Sequence, residues 1–73
     1  MSNAPMIRLA AARVNAGLTQ DDVAAELHVS KQTVVAWEGG TTEPKISQAR
    51  ILSRLFDYPL DLIIFSPAES ISN

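Results

Sequence analysis

Side chains able to do covalent or acid–base chemistry are sparse in these 73 residues. There is no cysteine and a single histidine, His28, so no second imidazole or thiol exists to complete a metal site. The sequence holds no Gly-rich phosphate loop, paired-His motif or nucleophile elbow, and a catalytic centre would have to be assembled from scattered Asp, Glu and Ser. The chain is therefore read as non-enzymatic, with no cofactor and no metal. What the sequence concentrates instead is recognition by hydrogen bonding. Lys31, Gln32 and Thr33 stand in a row at the start of an amphipathic segment and offer a cation, an amide and a hydroxyl. Val34 and Trp37, an i, i+3 pair, give that segment an inward face. Its polar end is left free to meet a ligand.

The elements that must hold this end in place are marked residue by residue. Gly17 suits the left-handed position that closes a first helix, and Thr19 with Asp22 three places on forms a capping box that opens a second. A helix from about Gln20 to Leu27 follows. Val23, Ala24 and Leu27 share one of its faces, whereas Asp21, Asp22 and Glu26 fall on the wet side, the first two also favoured by the positive helix N-terminus. His28, Val29 and Ser30 break the period. Val29 is available to plug the core and Ser30 to cap a third helix from Lys31 to Glu38, which Gly39 and Gly40 end. Two short helices joined by a tight turn over Thr19 to Glu38 form a unit suited to DNA recognition. After Pro44, Ile46, Ala49, Leu52 and Phe56 keep helical spacing and are expected to close the core from a fourth helix, with Ser47 near its start.

Together these residues justify a comparison. The chain resembles the lambda-repressor-like helix-turn-helix proteins of the Xre/Cro type over roughly Ile7 to Phe65. The likeness rests on RVNAGLTQ at Arg13 to Gln20, VSKQTVVAWE at Val29 to Glu38, the glycine turn, Pro44 and the amphipathic helix ending near Phe56. It implies an all-α fold, a compact bundle of about five helices whose third enters the major groove. It also implies a small transcriptional regulator, a repressor that binds double-stranded DNA as a symmetric dimer on an inverted repeat. Gln20 then matches a phosphate-contacting position, or else is simply a polar helix start. Ser30, Lys31, Gln32 and Thr33 match the exposed start of the recognition helix, where Gln bonds adenine bidentately and Lys reaches guanine acceptors. Val35 and Ala36 depart from the polar residues common there. They leave fewer hydrogen bonds, so that Ala36, with Val35 as a further candidate, meets a thymine methyl, or specificity rests on DNA shape, or the same apolar pair suits a protein partner. In the following loop, Thr41 and Lys45 offer a hydroxyl and a cation to the phosphate backbone, opposed by Glu43. Arg13 and Glu38 match a pair that bridges the first helix to the end of the third, with a phosphate contact as the other role for Arg13. Trp37 is read as core.

Length and charge bound the rest. A chain of 73 residues with 47% apolar content has room for one small core, placed at residues 6–65. Residues 1–5 are set apart because Ser2, Asn3 and Ala4 resemble the scar of a cleaved expression tag, and 66–73 because they read as a frayed polar tail and a natural end. A formal net charge of −2 has the wrong sign for phosphate binding, so distribution must compensate: Lys31 and Lys45 flank the proposed reading surface while Asp57, Asp61 and Glu69 lie towards the far end. No apolar run reaches the ~18 residues that span a bilayer, and a cytoplasmic site of action on the nucleoid of a bacterial or phage-infected cell is expected. Ile51 and Leu55 fall off the fourth-helix stripe, and Tyr58, Leu60 and Leu62 to Phe65 add more apolar area than a short fifth helix needs. Ile51, Leu55, Tyr58, Leu62 and Phe65 are accordingly assigned to a homodimer interface, with mutual burial inside one protomer as the alternative. A second class of function stays open: a protein-interaction module of the antitoxin or adaptor type built on the same fold.

Overall fold

Helix ends in this chain are set by local chemistry, and four turns use left-handed backbone to stop them. Gly17 (φ 76°) and Gly40 (φ 79°) take that conformation at no steric cost, and His28 (φ 59°) and Asp57 (φ 52°) take it as non-glycine residues. The computed structural model describes residues 4–65; the expectations for the first three residues and for the tail at 66–73 lie outside the described residues. In chain order the elements are β1 (Ile7–Arg8), α1 (Leu9–Asn15), α2 (Gln20–Leu27), α3 (Lys31–Gly39), α4 (Ile46–Phe56), a 3₁₀ turn (Leu60–Leu62) and β2 (Ile63–Ile64). The capping box at α2 is complete: the Asp22 amide donates to Thr19 Oγ1 at 3.0 Å and the Thr19 amide donates to Asp22 Oδ2 at 2.9 Å. Helix α3 runs one residue further than its period predicts, because Gly39 stays helical and Gly40 supplies the turn.

The expected fifth helix is not formed. Among the described residues four α-helices are present, and the segment after Pro59 makes one 3₁₀ turn before extending into β2. There Ile63 pairs with Ile7 and Ile64 with Arg8 in a parallel two-stranded ladder, so the all-α expectation holds for the body of the domain, and this short ladder ties its two described ends together. The physical reason is local. Two β-branched residues favour extended backbone, and burying Ile63 (5% exposed) against α1 satisfies them better than another short helix would. A ladder of two pairs is too short to stand alone, and the core beneath it supplies the support. The Tyr58 hydroxyl adds a second tie by donating to the Pro5 carbonyl.

One core unites these elements. Leu9 and Ala12 of α1, Val23, Ala24 and Leu27 of α2, Val34 and Trp37 of α3, Leu52 and Phe56 of α4, and Ile63 form a single buried cluster. Leu52, Val23 and Val34 are at most 1% exposed. Fully burying side chains of this size contributes about 1.5–3 kcal/mol each before conformational entropy is subtracted. Ile46 does not join them; it is 64% exposed in the first turn of α4, which no described element covers on that side. The stripe broadens in the opposite direction, where the chain beyond α4 folds back: Ile51, Leu55, Tyr58 and Phe65 are half-buried against the core. Leu62 is half-buried as well. Among the described residues the large apolar side chains that stay exposed are Met6, Val14, Val35 and Ile46, none of which belongs to the expected interface set.

Candidate nucleic-acid interface

Ser30 positions the reading end of α3. Its Oγ accepts the Thr33 amide at 3.2 Å and lies 3.1 Å from Thr33 Oγ1, so both hydroxyls are engaged in starting the helix rather than held free for a ligand. Beyond this cap the side chains of Lys31 and Gln32 are exposed, as are Val35 (45%) and Gly39, while Thr33 and Ala36 are half-buried. At ~100° per residue, 31, 32, 35 and 39 fall on one side and the buried Val34 and Trp37 on the other. The exposed side therefore carries a cation, an amide and one branched apolar group.

Three polar groups fix how α3 sits on α1 and α2. Arg13 Nε donates to Glu38 Oε2 at 2.6 Å and its Nη2 to Oε1 at 3.4 Å, across side chains only 15% and 8% exposed. Arg13 Nη1 also donates to the Leu18 carbonyl at 2.9 Å, tying the α1–α2 connection into the same knot. Gln20 Nε2 donates to Glu38 Oε1 at 3.0 Å. The glutamine at the head of α2 thus spends one amide hydrogen internally and keeps a second for an outside acceptor. Sequence reasoning paired Arg13 with Glu38 but missed Gln20 and the Leu18 carbonyl, because contacts over 18 and 5 residues leave no periodic trace.

Beside this knot lies an open depression lined by Arg13, Leu18, Thr19, Gln20, Asp21 and Lys31. It brings the first turn of α2, with its free backbone amides, next to the cation of α3, and this pairing suits an anionic group. Asp21 on the rim opposes it. On the far side of α3, the Thr41 and Thr42 amides donate to the Ala36 carbonyl at 2.9 and 3.4 Å, so these two loop amides are already used. What the loop leaves available are the exposed Thr41 side chain and the exposed Lys45, whose own amide donates to Gln48 Oε1 at 2.8 Å to start α4.

Compared with known proteins, residues 9–63 match the helix-turn-helix family. The chain belongs to the lambda-repressor-like, Xre-type helix-turn-helix family. The match runs from the first residue of α1 to the first of β2 and so takes in every helix described above. No curated protein and no solved structure matches the chain. Membership makes this a DNA-binding domain of the regulatory type, and helix-turn-helix domains of this family are typically non-enzymatic. Among the described residues no helix is long and apolar enough to cross a membrane.

Proposed function

We propose that this helix-turn-helix protein is a sequence-specific transcriptional repressor that occupies an inverted-repeat operator as a homodimer, with α3 in the major groove. The observation that carries the reading is the division of α3: Lys31 and Gln32 are exposed at its capped start, while Val34, Trp37 and the Arg13–Glu38–Gln20 knot hold its other side rigidly. A reader fixed from behind loses little freedom on binding, which favours affinity. Lys31, with the second Gln20 amide hydrogen and the α2 amides, approaches phosphate on one side, and Thr41 and Lys45 on the other. Ser30 and Thr33 act chiefly as caps. Dimer half-sites lie about one DNA turn, roughly 34 Å, apart, and the partly exposed surface of Ile51, Leu55, Tyr58, Leu62 and Phe65 joins the two copies. Such a protein works at the nucleoid of a bacterial or phage-infected cell.

The test is selection of genomic duplex fragments across a range of salt, followed by Gln32→Ala on the recovered site. An inverted repeat whose affinity falls steeply with salt supports the reading, and Gln32→Ala is expected to relax specificity at one base pair by about 1–3 kcal/mol. Uniform weakening on every sequence would remove Gln32 from base readout. A second reading, a protein-binding module of the antitoxin or adaptor type, is favoured by the net charge of −2 and by the exposed Val35. Failure to enrich any fragment at low salt would select it.

A further inference from the structure

We infer that Val35 reads the 5-methyl group of a thymine, which makes it the apolar specificity determinant of α3; this deepens the proposed DNA-binding reading and rests on it. Val35 is 45% exposed although its neighbour Val34 is 1% exposed. Among the described residues no packing accounts for a valine there: it lies outside the buried cluster and outside the side chains packed against it. A β-branched residue on an exposed helix face is also slightly unfavourable compared with a straight-chain polar one. Its surroundings say what it faces. Lys31 is one turn before it on the same side and Gln32 three residues before it, so the branched group sits beside an exposed cation and an exposed amide.

The major groove presents acceptors, amino donors and one apolar feature, the thymine C5-methyl. A phosphate strand has no surface that gains from meeting valine, since the contact would strip water from the anion without returning a hydrogen bond. The methyl is therefore the complementary partner. Ala36, the other apolar residue of this stretch, is half-buried, and its carbonyl anchors the following loop. The structure thus ranks Val35 ahead of Ala36, against the order the sequence suggests.

Uracil differs from thymine at the groove edge only by that methyl, which supplies the probe. Thymines in the selected duplex are replaced by uracil one at a time, and binding is measured at fixed salt for the native chain, Val35→Ala and Val35→Ser. The expected result is one position per half-site where uracil weakens native binding by about fourfold, the worth of one methyl-sized group. At that position both variants should bind thymine and uracil alike while keeping the native circular dichroism spectrum. Indifference of the native chain to uracil at every position overturns the inference. So does a full uracil penalty retained in both variants, which would assign the methyl to another group such as Ala36. If the native chain enriches no duplex at all, the DNA-binding reading itself falls, before any thymine is replaced.

Discussion

Replacing Glu38 with alanine removes the acceptor on which three helices converge. Its two oxygens take Arg13 Nε at 2.6 Å, Arg13 Nη2 at 3.4 Å and Gln20 Nε2 at 3.0 Å. Leaving one member of a buried ion pair alone costs about 3–5 kcal/mol, whereas an exposed pair is worth about 0–1 kcal/mol. The Arg13 side chain is 15% exposed and keeps its bond to the Leu18 carbonyl, so the low end of the buried range, about 3 kcal/mol, applies here. A domain of this length has roughly 4–11 kcal/mol of stability in total, and the substitution would lower the melting temperature by about 10–20 °C. Urea denaturation at one fixed protein concentration measures it, because self-association makes apparent stability depend on concentration. Glu26→Ala, on the exposed side of α2, serves as the control and should change stability by about 0.5 kcal/mol or less. If Glu38→Ala and Glu26→Ala denature at the same urea concentration, the knot has no energetic role and the argument that α3 is held rigidly from behind fails.

Other outcomes follow from the same geometry. The Asp22 carboxyl is held below its ordinary pKa by the Thr19 amide first and the Thr19 hydroxyl second. Its stabilising contribution is complete above the ordinary, unfolded-state value and is lost as pH falls through the lowered one; between about pH 5 and pH 2 Asp22→Asn should lose stability less steeply than the native chain, and equal slopes would remove Asp22 from the acid response. Ile63→Ala empties a site 5% exposed between α1 and the end ladder, with an expected cost of about 2–5 kcal/mol in urea titration; a loss under about 1 kcal/mol would show that the ladder frays without consequence. Leu55→Glu is predicted to halve the mass seen by sedimentation while the helical circular dichroism persists. An unchanged mass with an intact fold would take this face out of the proposed dimer.

Which parts of the molecule could be read directly from the chain follows from the range of the interactions involved. The capping box of Thr19 and Asp22, the Ser30 cap, the left-handed Gly17 and the inward Val34 and Trp37 are decided within about one helical turn, and each is in place. Local chemistry therefore determined three helices, the turn between α2 and α3, and the exposure of Lys31 and Gln32. Tertiary structure decided everything that depends on what covers what. Ile46 sits on the apolar stripe of α4 yet is exposed, whereas Leu55 lies off that stripe and is half-buried, because the returning segment covers one flank of the helix and not the other. The ladder joining Ile7 to Ile63 spans nearly all of the described residues, and two residues of extended backbone carry no period from which a partner can be inferred. Gln20 gives an amide hydrogen to Glu38, and Val35 rather than Ala36 faces outward, for the same reason: helical spacing fixes a side chain's direction from its own axis, and only packing fixes what lies in that direction.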